Sequence, residues 1–162
     1  MSRLESAIRR LQAQKIALDW AISEIQNEVG LVLEFGLGNG RTFDHMRALL
    51  PGRDIYVFER KIAAHPDCIP EKAFQFVGDF LEMLPVAVSK LGPSAILVHL
   101  DIGTGEKTQS LQLAGKIAPL VEKLLRPNAI VVSDQEVANW AKKAAPLPDN
   151  LEFGRIYIYH FK

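Results

Sequence analysis

Five short apolar runs, each closing on or beside a carboxylate, set the strongest limit on how this chain can fold. They are Leu31-Val32-Leu33-Glu34-Phe35, Ile55-Tyr56-Val57-Phe58-Glu59, Phe74-Gln75-Phe76-Val77 before Gly78-Asp79, Ile96-Leu97-Val98-His99-Leu100 before Asp101, and Ala129-Ile130-Val131-Val132-Ser133 before Asp134. Near-continuous apolar runs mark strands buried on both faces, whereas strands with one wet face alternate. Segments of helical spacing separate the runs. Arg41 to Leu50 is stopped by Pro51-Gly52, and Gln109 to Leu125 contains Pro119, expected to break or kink that helix. Strands alternating with helices imply right-handed crossovers and a mostly parallel sheet. The fold class is therefore α/β, a doubly wound sandwich.

The two ends of the chain add to this pattern. Ser2 and Glu5 form a capping-box pair at the head of a long helix, expected from about Ser2 to Glu28. Leu4, Ile8, Leu11, Leu18, Ile22, Ile25 and Val29 make an apolar stripe on it, with Trp20 at the edge, and Gly30 ends it. At the other end Ile156 and Ile158 point one way and Tyr157, Tyr159 and Phe161 the other. The loop Pro146 to Asn150 is too short for a crossover, so this last strand is expected to run antiparallel, inserted within the sheet. The expected organisation is one domain over 1–162: an added N-terminal helix (1–29), a ligand-binding core (31–134) and a C-terminal strand (151–162). The helix stripe suits self-association as well as packing on the core, so a homodimer is one expectation.

Composition narrows the function. Nineteen Lys and Arg balance nineteen Asp and Glu, for a net charge of zero. Dedicated nucleic-acid binders carry a basic excess, so no nucleic-acid partner is expected. No apolar run approaches the roughly 18 residues of a membrane span, and Met1-Ser2-Arg3-Leu4-Glu5 opens no signal-peptide core. A cytoplasmic protein without a membrane partner is the expectation. Cys68 is the single cysteine, which excludes an internal disulfide and a multi-cysteine zinc site.

Parallel strands open their C-terminal ends on one edge, where ligands of this fold class bind. Glu34, Glu59, Asp79, Asp101 and Asp134 would repel one another there unless a ligand brings donors or positive charge. The competing reading of each acid is a cap on the following helix. The turn Glu34-Phe35-Gly36-Leu37-Gly38-Asn39-Gly40-Arg41-Thr42 lets backbone amides approach a ligand, and a helix starting near Gly40 or Arg41 offers its free amides to an anion. Arg41 stands where a dinucleotide fold expects its third glycine. That disfavours a nicotinamide or flavin cofactor but leaves a nicotinamide-dependent oxidoreductase open. Glu59, with Arg60 beside it, suits the two hydroxyls of a ribose. Gly78-Asp79-Phe80 suits adenine, the carboxylate accepting from the amine and the Phe80 amide donating to the ring.

These residues resemble class I S-adenosylmethionine-dependent methyltransferases. The segment from Glu34 to Gly40 is similar to that superfamily's first motif. Glu59 stands where the family keeps its ribose-binding acid, Asp79 at its adenine-binding acid and Asp101 at the acid after the fourth strand. Leu124-Leu125-Arg126-Pro127-Asn128-Ala129 resembles the turn before the fifth strand, with Asn128 and Ala129 replacing glycines. More narrowly, the chain is similar to small bacterial members of unassigned acceptor. The resemblance implies a Rossmann-like methyltransferase fold, S-adenosyl-L-methionine as cofactor and in-line methyl transfer to a small-molecule acceptor. It implies that Glu34 and Asp101 meet the amino-acid end of the cofactor, and that amides from Gly38 to Thr42, with the Thr42 hydroxyl, meet its carboxylate. Phe35 and Gly36 complete the turn.

Asp101 and Asp134 are the candidate catalytic groups. His99 lies inside a strand and is expected to be a satisfied core residue, while His45 and His65 are expected at the surface. Asp101, Asp134 and Gln135 also resemble the divalent-metal set of catechol-type O-methyltransferases, with Gln135 where that set has asparagine, so a magnesium ion is a further expectation. The glycine-rich loop Ile102-Gly103-Thr104-Gly105-Glu106 is expected to be mobile enough to gate the site, with Trp20 on one side and Val137 and Trp140 on the other. A non-catalytic S-adenosylmethionine-binding module is the alternative of another class. The oxidoreductase alternative lacks a Tyr-x-x-x-Lys pair.

Overall fold

The computed structural model describes residues 1–162. Helix α1 spans Arg3–Glu24, with the capping box formed: the Ser2 hydroxyl accepts from the Glu5 amide at 3.1 Å and the Glu5 carboxylate from the Ser2 amide at 2.6 Å. Its buried face is Ala13, Gln14, Ala17, Leu18, Ala21 and Ile22, continued by Ile25. The helix ends at Glu24 with Ile25 as its C-cap, short of the expected Glu28 and Gly30, so Val29 lies outside it and is 74% exposed, while Leu4 in the first turn is 70% exposed. A 22-residue helix is about 33 Å long and outreaches the short strands it packs on, so its first turns project beyond them.

The remaining elements are β1 (Leu31–Phe35), α2 (Arg41–Leu49), β2 (Ile55–Glu59), β3 (Gln75–Val77), α3 (Phe80–Leu91), β4 (Ala95–Leu100), α4 (Lys107–Glu122), β5 (Leu125–Ser133) and β6 (Tyr157–Phe161). The sheet order is β3-β2-β1-β4-β5-β6, parallel except for β6. Antiparallel β6 is thus an edge strand and is not inserted between others. The chain between β5 and β6 forms a 3-10 stretch over Ala138–Lys143 rather than a further strand, and only Ala144 bridges to Tyr159 on the outer side.

Pro119 does not end α4, which continues to Glu122. It sits in the last turns, where losing one amide donor interrupts little of the ladder.

Two apolar layers enclose the sheet. Leu33, Phe35, Val98, Leu100 and Val131 face α3 and α4, while Val32, Val57, Leu97, Ile130 and Val132 face α1 and α2. Ile158 joins the second layer and Tyr159 the first, as the alternation in β6 predicts. Phe35 stacks on Phe58 at 4.1 Å and Phe58 on Phe76 at 4.8 Å, so aromatic rings line one side of β1, β2 and β3 beneath the sheet's C-terminal edge.

Candidate functional site

At that edge each strand-ending segment donates back to its neighbour. The Gly36 amide reaches Phe58 O, Gly78 reaches Glu59 O, Asp101 reaches Phe35 O and Asp134 reaches Leu100 O, all at 2.9–3.0 Å. These bonds draw the post-strand residues into one row. The row opens a cleft of about 420 Å³ lined by Gly36, Gly38, Glu59, Arg60, Gly78, Asp79, Phe80 and Asp101, and closed by Ile102, Gly103, Thr104 and Leu113. The volume lies in the range of small-ligand sites. A larger cleft of about 790 Å³ lies around Arg126, Pro127, Trp140 and Phe161, toward the opposite end of β5, and holds none of the expected site residues.

Two glycines of the turn have different tasks. Gly36, at φ +84°, passes so close to the Asp101 carbonyl oxygen that any Cβ would overlap it. Gly38, at φ +51°, has no atom within 4 Å of where its Cβ would stand, so its missing side chain leaves open space above the turn. Gly40 is the left-handed N-cap of α2 and packs against Cys68. Arg41 is exposed, and neither residue lines the cleft.

The acids divide into three groups. Glu59 and Asp79 line the cleft, each of their carboxylate oxygens accepting one donor of the chain. Glu59 accepts from the Gly38 amide at 2.9 Å and the Arg60 amide at 2.8 Å. Asp79 caps α3 through the Leu81 amide at 2.8 Å, so the capping reading holds for it, and its other oxygen takes the Arg60 guanidinium at 3.2 Å. A carboxylate has about four acceptor sites, which leaves room on both for ligand donors. Asp101 accepts from the side-chain amide of Gln14 at 3.0 Å through Oδ2, and no donor of the chain reaches Oδ1.

Glu34 and Asp134 are placed otherwise than expected. Glu34 is fully buried, with Oε2 against His99 Nδ1 at 2.7 Å and Oε1 taking the Thr42 hydroxyl. Neither Glu34 nor Thr42 lines the cleft, and the Thr42 hydroxyl is turned toward Glu34. β1 and β4 pair in parallel with Glu34 opposite His99, which places both side chains on the α1–α2 side of the sheet. Phe35, on the other face, is buried beneath the cleft as a packing group.

Asp134 binds the loop after β4, accepting from the Ile102 amide at 3.1 Å, the Gly103 amide at 2.8 Å and the Gln135 side chain at 3.1 Å. Burial pushes its carboxyl above the usual aspartate range, against the lowering effect of those hydrogen bonds. With three donors on its two oxygens it organises the loop, and it does not line the cleft. The loop itself is tied at its far end as well, where Thr104 N donates to Ser110 Oγ at 2.9 Å and Glu106 caps α4. It is not the slack gate its glycines suggest.

The expected magnesium set does not fit. Asp134 already accepts the Ile102 and Gly103 amides on its two oxygens, and Gln135 turns its NH₂ toward Asp134.

Burial alone would pull the His99 ring down, but the Glu34 carboxylate, aided by Asp101 and Asp134, holds its pKa above the usual histidine value. Its Nε2 is buried without a partner. The residues that sequence reasoning passed over are Gln14 and Leu113. Gln14 had a visible signal, a polar residue on the buried helix face between Leu11 and Leu18.

The family model of S-adenosyl-L-methionine methyltransferases matches residues 1–161. The chain belongs to this family. It is 38% identical to an S-adenosyl-L-methionine methyl transferase from Silicibacter pomeroyi, with a TM-score of 0.94 over 100% of this chain and 99% of that one. The methyltransferase fold is also shared with the O-methyltransferase TomG from Streptomyces achromogenes, solved with SAM bound, at 18% identity and a TM-score of 0.52 over 76% of this chain and 54% of TomG. No curated protein sequence matches the chain. No helix is long and apolar enough to cross a membrane.

Proposed function

We propose that this methyltransferase-family protein binds S-adenosylmethionine in the cleft at the C-terminal edge of β1, β2 and β4 and transfers its methyl group to a small-molecule acceptor. The observation that carries the reading is the joint placement of Glu59, Asp79 and Asp101 around the open space over Gly38. Glu59 would accept from the ribose hydroxyls. Asp79 and the Phe80 amide would take the adenine, and Asp101 Oδ1 the cationic amino-acid end. The turn at Gly36 and Gly38, which leads into the head of α2, would face the carboxylate.

When bound, S-adenosylmethionine supplies a methyl group on a cationic sulfur: the acceptor's electron pair forms the new bond to carbon, and the broken carbon–sulfur pair stays on sulfur as a neutral thioether. The chain's contribution is positioning, which in favourable cases is worth roughly 7–11 kcal/mol of a barrier. Asp134 holds Ile102 and Gly103 over the cleft, and α1 brings Gln14 to Asp101, so both flanks of the reacting region are anchored before a ligand enters. Asp101 is the one cleft carboxylate with an oxygen free of protein donors on the β4 side, which suits it to the cationic amino-acid end rather than to taking a proton from the acceptor, since an oxygen that holds an ammonium group is not an available base.

Calorimetry with S-adenosylmethionine, S-adenosylhomocysteine and nicotinamide dinucleotides tests this reading. Binding of the first two, lost in Glu59→Ala, together with methyl turnover on a metabolite pool, is the expected result. Binding of a nicotinamide dinucleotide alone overturns the cofactor assignment, and cofactor binding without turnover on any acceptor leaves a binding module in place of an enzyme.

A further inference from the structure

Beneath the glycine-rich turn, three elements meet at one buried carboxylate. Glu34 at the end of β1 holds His99 of β4 through one oxygen and Thr42 of α2 through the other. Gly40, the N-cap of α2, makes no side-chain capping bond, so within its first turn Thr42 is the residue whose side chain ties the helix to the sheet through Glu34. His99 and Glu34 are both fully buried. His99 Nε2 has no partner, an arrangement an apolar side chain in this position would avoid. Packing therefore does not account for a histidine here, whereas its bond to Glu34 does.

We propose that His99 is a positioning residue of the cofactor site, acting through Glu34 and Thr42 to fix the head of α2, so that the charge of its ring is coupled to the ligand held above that turn. The inference rests on the cofactor reading for its ligand, but the linkage from His99 to α2 stands on the free protein's geometry.

The charged groups that act on the ring are Glu34 from β1, Asp101 from the end of its own strand and Asp134 from the end of β5. Asp101 lines the cleft, so the proton on His99 is felt where a cationic ligand would sit. Linkage is reciprocal: a sulfonium bound there disfavours the proton on His99, and losing that proton favours the sulfonium. The demethylated product carries no charge on sulfur. The ratio of affinities for S-adenosylmethionine and S-adenosylhomocysteine should therefore rise as pH climbs through the His99 titration.

The test combines histidine-ring and amide NMR on the free protein with calorimetry across pH. In the free protein the amides of Arg41, Thr42 and Phe43 should titrate with the midpoint of the His99 ring. S-Adenosylhomocysteine binding should weaken about tenfold in Thr42→Val and in His99→Asn, and recover in Thr42→Ser. The affinity ratio should rise through the same midpoint in the native chain and be flat in His99→Asn. Should His99→Asn not fold, Thr42→Val and the NMR titration decide alone. Silent α2 amides across the His99 titration, or a Thr42→Val variant that binds like the native chain, overturn the proposal. Failure of both ligands to bind overturns the cofactor reading instead, and the α2 amides still decide whether His99 governs the turn.

Discussion

The side-chain amide of Gln14 donates to Asp101 Oδ2 across 3.0 Å, joining the N-terminal helix to the end of β4. Gln14 is 2% exposed, so this is an interior bond that holds a cleft carboxylate from behind. Replacing it by glutamate sets two carboxylates against each other. The new acid's folded pKa would be raised, so its stability is retained below the free glutamate value of about 4.3 and lost as pH rises through the folded one. Gln14→Glu should therefore unfold more readily than the native chain at neutral pH and approach it on acidification, measured by denaturant melts. A constant difference across pH would show that the two side chains do not interact.

Gly36 and Gly38 should respond oppositely to alanine. Gly36→Ala forces a Cβ into the Asp101 carbonyl at a positive φ and should destabilise by more than about 3 kcal/mol. Gly38→Ala meets no atom of the chain, so its loss should be only about 1 kcal/mol from the left-handed backbone. Its methyl enters the cleft, however, and should weaken S-adenosylhomocysteine binding. Thermal melts and calorimetry on the pair separate the two roles.

The His99 pKa is raised above 6.5 in the fold. A histidine shifted in this direction contributes stability that is fully present below its unfolded pKa and lost as pH rises through the folded one. In the pH window that opens near the ordinary histidine value of 6.5 and extends upward, the native chain should therefore lose stability relative to His99→Asn, read from denaturant midpoints at each pH. Parallel curves would mean that the ring does not titrate in this window.

Tyr159 accepts the Val137 amide at 2.8 Å through its buried hydroxyl. Tyr159→Phe should lose about 1–2 kcal/mol of stability and leave cofactor affinity unchanged, because neither Tyr159 nor Val137 lines the cleft. A weakened affinity would place the segment after β5 closer to the ligand than the cleft lining indicates.

Strands and cleft acids were legible in the sequence for a common reason. Apolar runs buried on both faces signal a parallel sheet, and a parallel sheet sends every strand end to one edge, which delivered Glu59, Asp79 and Asp101 together. The pattern does not say to which side an acid turns. Glu34 lies within β1, opposite His99, and pleating sends it beneath the surface, whereas Glu59 faces the cleft beside Arg60. The tasks of Asp134 and Thr42 depend on bonds to residues 32 and 8 positions away, which no periodicity reports. The edge position of β6 was likewise hidden, because it depends on the absence of a partner strand between β5 and the chain's last run.

The Arg60 guanidinium sits on Asp79 with its own side chain 81% exposed. An adenine amine seeking that same carboxylate oxygen would compete with it, so the cleft carries a removable internal occupant. Dissolved ions loosen such a solvent-facing pair. Entry of the base is thereby the one stage of recognition that added salt would ease, even as salt weakens the attraction of the acidic rim for a positively charged visitor.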